Sequence, residues 1–255
     1  MAGRARGGAG GDAASTPRPS RHLIRRALAF GVDHSLAVLV VLLATLPFTD
    51  RGLRLPRPLL HLTQTDCAPL DTAPGWLRLS EGEAVSVLRL CEGRLYGLTD
   101  GREVVAVIEG APRADGSRPA RYLRQSVGVD LAPAPSLPGL PALLVLALMG
   151  LASAFLTRAG QPSPGKALLG LRLEGPRGRA PAREALRLGP LALPPLVTFL
   201  AGLGLIPPPL LWEFGTALAV AAGGAALGLG LYLWPLRRGG LPWHDRLTGF
   251  RVVRR

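Results

Sequence analysis

Four long apolar runs constrain this chain more than any other feature: residues 27–48, 131–156, 188–211 and 214–236, each 22 to 26 residues long. A helix needs about 20 residues to cross a hydrocarbon core of about 30 Å. A helix on a soluble domain keeps a polar face, whereas Asp33 and His34 alone bring ionisable groups into the first run. The runs therefore predict an integral membrane α-helical fold with about four transmembrane helices. Pro190, Pro194, Pro195 and the triplet Pro207, Pro208, Pro209 punctuate the third run. It is expected to be a kinked helix from about Pro195 to Ile206, since neighbouring helices can satisfy the carbonyls that proline frees. The alternative is a re-entrant or interfacial piece, because proline triplets mark turns.

Charge orients these helices. The net charge is +13, and its excess sits in three short pieces beside the apolar runs. The first 26 residues hold six Arg and one acid, residues 157–187 seven basic groups and two acids, and residues 237–255 six Arg and one acid. Residues 49–130 balance eleven Arg against eleven acids. That is the positive-inside pattern, with both termini and the middle loop cytoplasmic, in a multi-pass protein of the cell (inner) membrane. The expected partners are the lipid bilayer and its anionic lipid headgroups. Nucleic acid is not expected, because the basic pieces lack interleaved aromatics.

The chain divides into a disordered basic tail (1–20), a first span (21–48), an extracytoplasmic β-rich segment (49–136), a second span (137–156), a basic elbow (157–187), a third and fourth span (188–236) and a basic tail (237–255). The first apolar run is longer than a signal-peptide core and reads as an uncleaved anchor.

In the outer segment, residues 76–79, 84–90, 94–98 and 104–108 are rich in β-formers. Glu92-Gly93 and Asp100-Gly101 supply turn signals between them. A small antiparallel meander is expected. Cys67 and Cys91 both fall here, on the side where thiols are oxidised, and are expected to form a disulfide rather than remain free. They have no His neighbours at ligand spacing, so no metal site is read.

Three short stretches carry polar chemistry. Arg26 and Asp33 lie about 20° apart around a helix and about 10 Å apart along it. Asp33 then sits inside the hydrocarbon region, where a carboxylate costs up to about 3 kcal/mol unless it faces the protein or meets a cation. An interfacial Asp33 satisfied by Arg25 or Arg26 is the plainer alternative. The elbow contains Gly160, Ser163, Pro164, Gly165, Lys166 and Ala167, close to the spacing of a phosphate-binding loop. Pro162 and Pro164 delete two of the amides such a loop needs, and Ala167 cannot bind Mg²⁺. Ser163 instead suits an N-cap and Pro164 the first helical position, with Lys166 and Arg172 directed at lipid phosphates. Residues 171–173 form either the end of this helix or a short strand. After the last run, His244 and Asp245 read as a turn docked beneath the bundle, with Trp243 at headgroup level. No nucleophile, base and orienter stand at readable spacing, so the chain reads as non-enzymatic and without a cofactor.

These stretches together resemble the RDD family of membrane proteins. Arg26, Ala29 and Asp33 match its R-x-x-A-x-x-x-D start, Ser163 to Leu173 its S-P-G-K-x-L-x-G-L element, and His244, Asp245, Val252 and Val253 its closing motif. Phe250 departs from the family's threonine, which removes a hydroxyl. The resemblance covers residues 21–48 and about 137–255 and does not reach the outer segment. It implies a membrane protein of undefined role: either a scaffold or accessory protein clamped by Arg26, Asp33 and Asp245, or a monovalent cation/proton transporter using Asp33 with Arg26 as its gate. A membrane or extracytoplasmic protein partner is expected in the first case. The Gly224-x-x-x-Gly228 step permits tight packing with a helix of the same chain or of a homo-oligomer.

Overall fold

The computed structural model describes residues 23–58, 61–135, 137–205, 214–237 and 240–254. The tail 1–20 and the proline triplet at 207–209 lie outside them. The elements are α1 (Leu23–Thr45), β1 (Thr63–Pro69), β2 (Ala84–Leu95), β3 (Leu98–Glu109), β4 (Ala120–Val127), α2 (Leu140–Arg158), α3 (Pro164–Leu168), β5 (Leu171–Glu174), α4 (Ala180–Gly202), α5 (Phe214–Arg237), α6 (Trp243–Thr248) and β6 (Arg251–Arg254).

The expected integral membrane α-helical fold, with its small β-rich insertion, is thus corrected to a mixed α and β architecture. Residues 49–136 are no minor insertion: they build a four-stranded antiparallel sheet in the order β1-β2-β3-β4, with Leu95, Val104, Ala106 and Ile108 fully buried in it. A second, two-stranded sheet joins β5 to β6. Among the described residues three helices, not four, are long and apolar enough to cross a membrane: Leu23–Arg51, Leu140–Arg158 and Arg177–Gly202. The last apolar run contributes a shorter stretch, Ala222–Leu236.

α1, α2 and α4 share one core, in which Ala37, Val38 and Val41 meet Val145, Met149 and Leu188. α4 continues through Pro190, Pro194 and Pro195 rather than starting at Pro195, as a helix supported by neighbours can. Its first turns carry Arg183, Glu184 and Arg187, so charges read from sequence as a loop stand on a helix. The Gly224-x-x-x-Gly228 step faces α4 of the same chain: a Cβ at Gly228 would lie 2.5 Å from Pro190, and one at Gly224 3.2 Å from Leu193.

The sheet hangs on two neighbouring stems. Gly52, with φ of +87°, turns the chain out of α1 and lies against Ala134, on the stem that leads into α2. The Asp100 carboxylate accepts from the Leu55 amide at 2.6 Å, and Arg54 donates to the Asp100 carbonyl at 2.7 Å. Asp100-Gly101 is therefore inside β3 and serves the stem. The β2–β3 turn is made by Tyr96 and Gly97, with φ of 51° and 81°, two successive positive values of the kind a tight hairpin requires. Residues 76–79 form no strand. Cys67 and Cys91 face each other across β1 and β2 and form a disulfide.

Candidate functional site

The polar groups singled out from the sequence converge where α1 begins, between the elbow and residues 243–254. α3 is pressed against the backbone of α1. A Cβ at Gly165 would lie 2.1 Å from the Ala29 carbonyl oxygen, so this contact requires glycine. The close approach presents the Gly165 amide to Asp33 Oδ1 at 2.8 Å, while the Ser163 hydroxyl donates to Asp33 Oδ2 at 2.6 Å. Ser163 holds the N-cap position and Pro164 follows inside the first turn, but no side-chain cap bond forms; the hydroxyl is used on Asp33. One carboxylate of α1 thereby clasps the elbow through both oxygens.

Lys166, the next residue, does not reach lipid phosphate. It is 6% exposed and donates to Ser153 of α2 at 3.2 Å. Burial above all, with Arg187 beside it, pushes its ammonium down to about 7. The stretch from Ser163 to Lys166 thus joins α1 to α2 through side-chain and amide hydrogen bonds. Its likeness to a phosphate loop is accidental.

A second cluster centres on Asp245, which is fully buried. Its Oδ2 accepts from Arg26 Nη1 at 3.3 Å and its Oδ1 from Arg183 Nε at 2.7 Å. Arg183 also pairs with Glu184, and Arg187 closes on Glu184 Oε2 at 3.1 Å. Arg26 is therefore the partner of Asp245, across 219 residues, and the alternative in which Arg25 or Arg26 satisfies Asp33 gives way to Ser163 and Gly165. Phe250 lies under the Arg183 guanidinium, 5.6 Å from ring centre to carbon, and a Cβ on Gly175 would meet its ring at 2.6 Å. The Phe250 ring thus supplies a cation–π contact.

His244 is 1% exposed. It stacks on Tyr232 at 5.5 Å and meets the edge of Trp243 at 6.0 Å. Burial, partly opposed by Asp245, pushes its imidazole down to about 4, so the ring is neutral and acts as a packing element. β6 then pairs with β5, Val253 opposite Arg172 and Val252 opposite Leu173, which fixes α6 beneath the helices.

The sequence reading found Arg26, Asp33, Ser163, Gly165, Lys166, His244 and Asp245, and the structure gathers them into this one region. Pro164 contributes backbone shape rather than a polar contact. Cys67 and Cys91 stand apart in the sheet. Arg183, Glu184, Arg187 and Ser153 were missed. The signal for the first three was charges at i, i+1 and i+4 immediately before an apolar run, a spacing that puts Arg183 and Arg187 on one helix face; Ser153, inside α2, carried none.

Two cavities flank Asp33. One, of about 300 Å³, lies between α1, α4 and α5 and reaches Arg26, Lys166, Arg183, Arg187 and His244. The other, of about 190 Å³, lies between α1, α2 and the elbow. Among the described residues no cluster of His, Cys, Asp and Glu has metal-holding geometry. Compared with protein-family models, with curated proteins and with solved structures, the chain matches none.

Proposed function

We propose that this chain is a non-catalytic, RDD-like protein of the cell inner membrane, crossing it more than once. In this reading it is a scaffold or accessory protein that presents its four-stranded sheet to a protein partner outside the cytoplasm. The basic cluster faces the cytoplasm by the positive-inside rule, and the charge-balanced sheet lies on the other side. The observation that carries the reading is the state of Asp33. An exchanger must free its intramembrane carboxylate to bind and release ions, whereas both Asp33 oxygens are engaged by Ser163 and Gly165. The surrounding cations Lys166, Arg183 and Arg187 add to the case, since they repel a further cation.

The second reading, monovalent cation/proton exchange, draws on one observation: Asp33 borders both cavities. Reconstitution separates the two. With the chain in sealed vesicles carrying an internal pH dye, addition of Na⁺, K⁺ or Li⁺ is expected to leave internal pH unchanged. Cation-driven pH change that Asp33→Asn abolishes would overturn the scaffold reading.

A further inference from the structure

We infer that the larger cavity is a binding site for one anionic lipid, whose headgroup is held by Arg26 and whose acyl portion lies between α1, α4 and α5. The inference rests on the reading of α1 and α4 as membrane-crossing helices. Three observations meet here.

First, Arg26 lines the cavity, is 7% exposed, and leaves Nε and Nη2 buried without a hydrogen-bond partner. A buried charged donor without an acceptor is costly. These two nitrogens form one edge of the guanidinium, the edge that grips two oxygens of a single carboxylate or phosphate. Nη1, on the opposite side, already serves Asp245. Both unpartnered nitrogens are covered by protein atoms, so engaging an anion takes a side-chain rotation toward the cavity.

Second, the local charges do not balance. Arg26, Lys166, Arg183 and Arg187 are four cations, and Asp33, Glu184 and Asp245 are three carboxylates. One further negative charge restores neutrality in a region where burial makes imbalance expensive. Burial first and Arg187 second push the Lys166 ammonium down, and an added anion beside it would favour its charged form.

Third, away from these charged groups the cavity is apolar. Leu23, Ala27, Leu229 and Leu233 line it, and Leu191 and Leu229 at its margin are 37% and 53% exposed. A free inorganic anion gains nothing from such walls. A ligand with a charged head and a hydrocarbon tail gains from both parts, and in a membrane it enters sideways from the lipid.

The chemistry recognised is a two-oxygen anion on an apolar chain, and the test separates its sources. Trp243 lines the cavity and reports occupancy. The full chain is inserted in phosphatidylcholine vesicles, with flotation as proof of insertion, and brominated phosphatidylglycerol is titrated against brominated phosphatidylcholine. Saturable quenching by the anionic lipid at a few per cent of total lipid is expected, with weaker quenching by the zwitterionic one. Arg26→Lys keeps a charge for Asp245 and loses the two-donor edge; it is expected to weaken binding about tenfold or more, the loss of a charge-assisted hydrogen bond. Ala27→Phe fills the apolar part without touching the ionic cluster and is expected to abolish the preference. Arg113→Gln, at an exposed position between β3 and β4, is expected to change nothing.

Equal quenching by both lipids, or a preference that survives both Arg26→Lys and Ala27→Phe, overturns the inference. Competition by inorganic phosphate at the concentration of the lipid would assign the site to a free anion and overturn the lipid source. Competition by oleate would support the site and widen the class to fatty acids. Failure to float with the vesicles overturns the membrane reading instead, and with it the lateral entry of lipid.

Discussion

The sheet and the polar cluster use the same side chains, arginine against carboxylate, in opposite surroundings. On the sheet, Arg121 grips Glu83 through two hydrogen bonds of 2.8 and 2.9 Å, and Arg94 and Arg102 share Glu92. In the cluster, Arg26, Arg183 and Asp245 are 6%, 3% and 0% exposed. The geometry of the Glu83 pair is the better of the two, yet solvent screens it and lets either partner be replaced. Asp245 has no such freedom. Two arginines depend on it, and neither can turn to water. The comparison teaches that hydrogen-bond length is a poor guide to importance here, and that the depth of the pair decides.

Three measurements bear on that contrast. The largest effect is expected from Asp245→Asn, which strands Arg26 and Arg183. A loss of about 3–5 kcal/mol follows for breaking a buried ion pair from one side, read as a lowered unfolding midpoint in detergent. A change no greater than that of a surface variant would show that the cluster is hydrated and would dissolve the contrast.

A smaller, pH-dependent effect is expected from Lys166. Its folded pKa of about 7 lies below the ordinary lysine value of 10.5, so between these values the unfolded chain holds more protons than the folded one. Stability from this group therefore rises with pH from about 7 to about 10.5. Arg183, Arg187, Glu184 and Asp33 set its surroundings. Lys166→Met should flatten that part of the curve of unfolding midpoint against pH, and an unaltered slope would place the effect elsewhere.

The smallest effect is expected from Glu83→Gln. Its carboxyl is held down to about 2 by the Arg121 hydrogen bonds, and the pair is exposed. No measurable shift in unfolding midpoint is expected near neutral pH. A large loss would mean that the sheet's surface is covered by a partner or by the membrane.

Much of this contrast was legible in the sequence. The apolar runs marked α1 and α2, the β-forming runs announced a meander although Glu92-Gly93 and Asp100-Gly101, read as its turns, lie inside β2 and β3, and the pairing of Cys67 with Cys91 followed from their expected compartment. Ser163 and Pro164 announced the start of α3 because capping is local. What failed depended on distance. Periodicity could report only that Arg26 and Asp33 share one side of a helix; that Arg26 bonds Asp245 while Asp33 bonds the elbow depends on contacts between distant elements. Lys166 was read as a lipid-facing charge, since no local rule reveals that Ser153 waits on another helix. The strand 251–254 carried β-branched Val252 and Val253, but four residues without a visible partner do not announce a sheet. The turn fell on Tyr96-Gly97 rather than Asp100-Gly101 because the Asp100 side chain was claimed by the stem at Leu55.

The spacing of the contacts made by α1 sets a schedule for synthesis. Asp33 meets its partners 130 and 132 residues later, and Arg26 meets Asp245 219 residues later. At about 5–20 residues per second, the nascent first helix waits on the order of 7–25 s for the elbow and about 10–45 s for its arginine to be matched. The elbow contact can therefore form well before residue 245 is made, whereas the ionic cluster has to wait for it. Throughout that interval the first helix carries an unmatched cation and, at first, an unmatched anion.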